Sequence, residues 1–247
     1  MMNHFLVESE AIKDEYIFIE GNELNHLKNS LRLKAGDEIT VADGKGNKYL
    51  VELVAVSDRL ARGEIKKQLT ANLEPEVKVT ICQGLPKSKK MDLIAQKSTE
   101  LGIDKLIPVS MDHSVVKLKP SKAKRRVKRW QKIVREAAKQ SRRARVPEVA
   151  ELIDYQQALK LVEQYDLALI PSVKEEDNTL KSVLINQDKS KIENVILFIG
   201  PEGGFSTQEL KSAVNEGVIP VSFGPRTLRT ETASIFAVGT LIYEFES

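Results

Sequence analysis

Two glycine-bearing stretches near the C-terminus restrict the fold of this chain more than any other feature: Ile199-Gly200-Pro201-Glu202-Gly203-Gly204 and Phe223-Gly224-Pro225-Arg226-Thr227-Leu228-Arg229-Thr230-Glu231-Thr232-Ala233. Each follows a short apolar run with the character of a buried strand, residues 195–199 and 219–223, and each leads into a helix-like segment. Strand, glycine turn and helix in that order is how an α/β sheet builds a ligand pocket at the carboxyl ends of its strands. Two such turns in quick succession can close on one ligand from both sides.

The chain around them alternates in the same way. Residues 77–82, 105–109 and 166–170 read as strands, and a helix over about 90–101 is stopped by Gly102. Ser206-Thr207-Gln208-Glu209 is a capping box opening a further helix, and 231–245 reads as an apolar final helix. The polar stretch 177–191 reads as a loop with a short helix in it. Residues 1–72 are different and β-rich. Strand-like runs 38–41 and 48–56 flank Asp43-Gly44-Lys45-Gly46-Asn47, a hairpin signal. Leucines 24, 27 and 31 have helical spacing with Gly36 as the stop, and 66–76 reads as a linker. The expected fold is therefore α/β, with a small β-rich domain over 1–72 and a larger α/β domain over 73–247.

The glycine turns match no standard phosphate motif. Gly200 to Gly204 lacks the Lys-Ser/Thr of a P-loop and the spacing of a dinucleotide fingerprint. Glu202 would repel a phosphate and suits a ligand that is neutral or cationic. Glycines there let backbone N–H and C=O groups approach a purine edge closely.

Charge supplies a second ligand. Residues 117–145 hold 14 of the 38 basic side chains against one acid, Glu136, a local +13, which leaves 24 basic against 34 acidic groups elsewhere. Trp130, Ile133, Val134, Ala137, Ala138 and Ser141 form one apolar helical stripe after a cap at Ser121. Arg125 and Arg129 lie off that stripe, and Arg142 and Arg143 run out of its end. A solvated helix face would intersperse glutamates for i,i+4 pairs. Their scarcity favours phosphate contacts to a nucleic acid, with Trp130 in the core rather than stacked on a base.

Other function classes are disfavoured. No run approaches the roughly 18 apolar residues of a membrane span, and the N-terminus has no signal-peptide pattern. Cys82 is the one cysteine, which suits a reducing cytosol and a buried strand end. With it, three scattered histidines argue against a zinc site.

Several motifs together resemble the RsmE-type 16S rRNA uracil-N3 methyltransferases of the SPOUT superfamily, over essentially the whole chain. They are Gln83-Gly84-Leu85-Pro86-Lys87 with Lys90-Met91-Asp92, Lys97-Ser98-Thr99-Glu100-Leu101-Gly102, Glu136-Ala137-Ala138-Lys139-Gln140-Ser141, and the two turns. The resemblance implies an N-terminal PUA-like RNA-binding β-barrel and a C-terminal domain with a trefoil knot that binds S-adenosylmethionine. It further implies a cytoplasmic homodimer with 16S rRNA, within the assembled small ribosomal subunit, as substrate. Carried over by position, the cofactor pocket is Ile170, Pro171, Ile199, Gly200, Pro201, Glu202, Gly203, Gly204, Phe223, Gly224, Pro225, Leu228 and Ala233. Arg229, Thr230 and Glu231 face the uracil. Arg32, Lys87, Lys90 and Arg226 join Arg125, Arg129, Arg142 and Arg143 as RNA contacts.

Uracil N3 is a poor nucleophile until its proton leaves. Arg229 is the expected stabiliser of the developing anion, and Glu231 or Glu202 the expected proton acceptor if burial raises its pKa. Two other readings stay open at this stage: a SPOUT ribose 2′-O-methyltransferase, and a non-catalytic RNA-binding ribosome-assembly factor.

Overall fold

The structure is a computed structural model that describes residues 2–69, 74–172, 175 and 177–246. It divides into two compact units, residues 1–74 with 138–146, and residues 75–137 with 147–247.

The first unit is a sheet in the order β1-β4-β5-β6-β3-β2. The strands are β1 (His4–Leu6), β2 (Ile12–Lys13), β3 (Tyr16–Ile19), β4 (Glu38–Ala42), β5 (Lys48–Val56) and β6 (Ala61–Leu69). β1 pairs parallel with β4 and the other pairs are antiparallel. Phe5 and Val7 at one end of this order share a single core cluster with Ile17 and Ile19 near the other. A flat sheet would hold them apart, so the sheet is curled, and register shifts at Leu50/Val51 and Leu53/Ala55 help it bend. Between β3 and β4 the helix α1 (Gly21–Asn25) continues into a π-helical turn, His26–Ser30, burying Leu24 and Leu27. Helical structure thus stops well before Gly36, and Arg32 takes a left-handed φ of 55°. The hairpin signal is the β4–β5 turn, with Gly44 and Gly46 at φ 73° and 117°. The expected linker over 66–76 starts later, because β6 runs to Leu69; residues 70–73 lie outside the described part.

A piece of chain from far along the sequence completes this unit. Ala138 and Ala144 pack with Leu6 and Ala42, while Gly46 N–H donates to the Ala144 carbonyl and Val146 N–H to that of Gly44.

The second unit is a parallel sheet in the order β10-β8-β7-β12-β11-β13, with β9 beside β8. Its strands are β7 (Lys78–Gly84), β8 (Lys105–Ser110), β9 (Glu148–Val149), β10 (Ile153–Asp154), β11 (Leu167–Pro171), β12 (Asn194–Ile199) and β13 (Ile219–Val221). β12 is paired on both sides, and Val195–Ile199 is wholly buried, as expected of a central parallel strand. The helices are α2 (Lys90–Leu101), α3 (Pro120–Gln140), α4 (Tyr155–Leu159), α5 (Leu180–Ile185), α6 (Thr207–Asn215) and α7 (Thr230–Phe245). α3 starts at Pro120 rather than after a Ser121 cap, the first-turn position that proline favours. Trp130 and Val134 are buried, while Lys124, Arg125, Lys128 and Arg129 are exposed. None of the described helices is long and apolar enough to cross a membrane.

Candidate active site

The loops leaving the carboxyl ends of β11, β12 and β13 enclose a cavity of about 600 Å³ in the second unit. Its walls include Pro171, the whole Ile199–Phe205 turn, and Phe223, Gly224, Leu228 and Ala233. The volume suits a ligand of nucleoside size. Ile170 and Pro225, expected in the same wall, are not part of this lining; Ile170 is fully buried in the core cluster with Phe198 and Val109.

Close backbone packing shapes the first turn. A Cβ on Gly84 would lie 2.6 Å from Pro201 Cδ and 2.8 Å from Pro201 N, so the end of β7 touches the turn directly. A Cβ on Gly200 would meet Gly204 backbone atoms at 3.1 Å. His113 Nδ1 lies 2.9 Å from the Gly203 carbonyl and buttresses the turn. The capping box forms: Glu209 N–H donates to Ser206 Oγ, and Ser206 N–H to Glu209 Oε2 at 2.7 Å. Glu209 Oε1 accepts in addition from the Asp112 N–H.

Charged groups gather at one side of the cavity. Lys90 Nζ lies 3.0 Å from Glu202 Oε1 and 3.3 Å from Glu231 Oε2. Glu202 Oε1 also accepts the Lys87 N–H at 3.0 Å. Burial pushes the Glu202 carboxyl up, but hydrogen bonds from its own backbone, from Lys90 and from the Lys87 N–H outweigh it and hold the group below the usual carboxylate range. The condition set for Glu202 as proton acceptor, a carboxyl raised by burial, is therefore not met. The Glu202 hydrogen bond is the largest influence on Lys90 and, against an opposing desolvation, raises it above the ordinary lysine value. Glu231, with a side chain 13 % exposed, stands next to the lining residues Arg229 and Thr230 and pairs through Oε2 with Lys90. Arg229 lines the cavity as the N-cap residue of α7, with Arg226 nearby on the second turn.

The expected RNA contacts divide. Arg32, Lys87 and Arg125 are exposed, and Arg129, also exposed, pairs with Asp92. Arg142 is partly exposed at a left-handed φ of 60°, its carbonyl 3.4 Å from Lys48 Nζ. Lys90 is engaged by the two carboxylates instead of facing solvent alone. Arg143 requires correction. Its side chain is 5 % exposed and donates from Nε and Nη2 to Glu74 Oε2 at 3.0 and 2.6 Å, so it is committed to the fold of the first unit.

Thr230, expected to face the uracil, instead turns its hydroxyl to the Gly200 carbonyl and joins Gln83 and Ser234 in a buried polar chain at the cavity wall that sequence alone did not connect. Gln83 opens the Gln83-Gly84-Leu85-Pro86-Lys87 motif and closes the run Val79-Thr80-Ile81-Cys82, but nothing in the spacing pairs it with Thr230 or Ser234.

A family model described as an RNA methyltransferase domain matches residues 73–242, which include the whole cavity lining. The chain belongs to the RNA methyltransferase family. A second model, an RNA methyltransferase PUA domain, matches residues 19–66 in the curled sheet of the first unit. Family members are similar along their whole length. Ribosomal RNA small subunit methyltransferase E of Bacillus subtilis is 35 % identical over 99 % of this chain and 98 % of its own. The crystal structure of the protein of that name from Neisseria gonorrhoeae, bound to S-adenosyl methionine, superposes with a TM-score of 0.86 at 31 % identity, covering 98 % and 97 % of the two chains. A putative methyltransferase from Legionella pneumophila, also in complex with that cofactor, gives 0.82 at 26 % identity over 98 % and 97 %. Among the described residues of this family member, no group of three or more His, Cys, Asp or Glu side chains could hold a metal ion.

Proposed function

We propose that this chain transfers a methyl group from S-adenosylmethionine to N3 of a uridine in 16S ribosomal RNA of the small subunit. One observation carries the reading. A 600 Å³ cavity built from two glycine turns, with a fixed anion and two arginines at its rim, lies in a chain alike end to end to a cofactor-bound relative. The cavity residues fit that cofactor: Ile199, Leu210 and Leu228 offer apolar surface to a purine, the glycine backbones offer polar edges, and Glu202 suits a cationic ligand.

The bound cofactor supplies an electrophilic methyl group on a cationic sulfur. What remains for the protein is to hold the uracil in line and remove its N3 proton. Arg229 places a guanidinium where negative charge develops on O2 or O4. Glu231 is the preferred proton acceptor: it shares Lys90 with Glu202 but lacks the Lys87 N–H bond that helps lower Glu202 and weaken it as a base. Glu202 instead latches the 85–90 loop and balances positive charge in the cavity.

The finer architecture belongs to the same proposal. β12 is inserted between β7 and β11, both earlier in the chain, and α7 packs back against α2, which supports a path closed into a trefoil knot of the SPOUT kind. Such knots are rare exceptions among folds. A cytoplasmic homodimer acting on the assembled small subunit accords with the exposed cations of α3 and the exposed Phe236 and Tyr243 of α7.

Calorimetry with S-adenosylmethionine, followed by mapping of the methyl group on rRNA from a deletion strain, tests the reading. A uridine N3 position unmethylated in the deletion and restored by the chain is the expected outcome. A missing 2′-O-methyl group, or an unchanged rRNA, would refute it.

A further inference from the structure

Beneath the cavity one fully buried side chain is tied to both glycine turns. Gln83 stands near the end of β7, between Ile199 of β12 and Pro108 of β8, and is 0 % exposed. An amide in such a layer is costly unless its polar atoms are paired. Here they are. Nε2 donates to the Gly84 carbonyl at 2.9 Å and to Thr230 Oγ1 at 3.0 Å, and Oε1 accepts from Ser234 Oγ at 2.6 Å.

The directions of these bonds follow from the groups themselves. A carbonyl only accepts, so the NH2 end of Gln83 must face Gly84. Thr230 Oγ1 then receives a hydrogen from Gln83, and its own hydroxyl points to the Gly200 carbonyl at 2.6 Å. Ser234 directs its hydrogen to Gln83 Oε1, with the Thr230 carbonyl 2.9 Å away as a second acceptor. The result is a one-way relay: Gln83 to Thr230 to Gly200.

That relay ends at the functional positions. Gly200 opens the first turn. Thr230 is the first residue of α7, directly between Arg229 and Glu231, and α7 has no side-chain N-cap bond of its own. The start of α7 is therefore fixed against the first turn by the Thr230 hydroxyl, whose orientation Gln83 dictates. A buried network with every member satisfied specifies one geometry where apolar packing would tolerate several.

We propose that Gln83 is a positioning residue for methyl transfer: acting through Thr230, it locks the Gly200 turn and the Arg229–Glu231 end of α7 in register around the cavity. The inference rests on the methyltransferase reading above and adds to it a residue that touches no substrate.

A Q83E variant tests the directionality. The neutral acid keeps one donor and one acceptor, whereas the carboxylate has no donor and turns the Thr230 hydroxyl toward itself, away from Gly200. Burial raises the pKa of such a group, so its neutral form persists into the mildly acidic range. Turnover of Q83E relative to wild type, per folded molecule and well below each unfolding midpoint, is expected to fall on the order of tenfold or more at pH 8.5 and to recover substantially at pH 6. T230V, which keeps shape and loses the hydroxyl, is expected to lose a similar factor in kcat and to weaken S-adenosylmethionine binding, and T230S to restore most of that loss.

Equal relative turnover of Q83E at both pH values, with T230V binding and turning over within twofold of wild type, would overturn the proposal even if both variants melt earlier. Should Q83E fail to fold, Q83M, which keeps the length of the side chain and loses both polar ends, takes its place: a kcat loss matching that of T230V supports the proposal, and turnover within twofold of wild type overturns it. A wild-type chain that neither binds the cofactor nor methylates rRNA refutes the methyl-transfer reading itself, a result distinct from wild-type activity with unaffected variants.

Discussion

Removing the Glu74 carboxylate tests whether Arg143 belongs to the fold or to the RNA surface. Glu74 accepts from the Arg143 guanidinium, at 3.0 and 2.6 Å, and from the Ala144 and Arg145 N–H groups, at 2.8 and 3.0 Å. The two side chains are 5 % and 11 % exposed. Removing one member leaves the other charge buried without its main counter-ion, a loss of about 3–5 kcal/mol in comparable pairs. E74A and R143A should each destabilise the first unit by about that amount, read from urea unfolding with hydrogen exchange at the β4 and β5 amides as the local probe. The double variant E74A/R143M should cost clearly less than the two single losses together, because no orphaned charge remains. At a temperature where R143A is still folded, its rRNA affinity and salt dependence should match wild type. R125A, by contrast, should lower affinity and reduce the salt slope by about one. A cost under about 1 kcal/mol for both single variants, with R143A shifting the salt slope as a phosphate contact does, would refute the reasoning.

Other outcomes follow from the cavity and from the first unit. R229A should reduce kcat by about 10²–10³ with cofactor affinity within a few-fold of wild type; single-turnover methylation checks it, and unchanged turnover removes Arg229 from the reaction. E231Q should reduce kcat more than E202Q, and E202Q should act mainly by loosening the 85–90 loop, seen as altered rRNA KM; the reverse ranking would make Glu202 the base. G84A should weaken S-adenosylmethionine binding by about tenfold or more, since the added Cβ meets Pro201 backbone that has little room to yield; calorimetry decides. Burial, then the nearby cations Lys48, Arg142 and Lys139, lower His4 to about 4 against an opposing hydrogen bond to the Arg143 backbone. The folded chain therefore binds fewer protons than the unfolded chain between pH 6.5 and about 4, so this contribution is full above pH 6.5 and lost as pH falls toward 4. Urea midpoints of wild type should drop across that window more steeply than those of H4Q, and parallel curves would exclude His4 as the cause.

Much of the site was legible in the chain because it depends on local backbone chemistry. Glycines at 200, 203, 204 and 224 after apolar strands mark turns wherever the rest of the molecule lies, and Ser206 with Glu209 caps α6 as short-range spacing requires. The alternation of strand and helix from Val77 onward, and the apolar stripe through Trp130, follow from periodicity alone. Motif content supplied the family expectation and with it the cofactor.

What the sequence could not determine depends on groups brought together from distant positions. Charge alone made Arg143 an equal of Arg125, and only the fold put Glu74, 69 residues away, against it. Glu202 and Glu231 were interchangeable as acids until tertiary contacts placed Lys90 between them and aimed the Lys87 N–H at one alone. Gln83 was one polar residue in an apolar run, and its partners lie 147 and 151 positions along the chain. Local sequence thus determined where the turns, helices and strands lie, through short-range sterics and hydrogen bonding. Tertiary structure decided which titratable groups are paired, which are buried and which remain free to react, because desolvation and Coulomb energy depend on distance through space rather than along the chain.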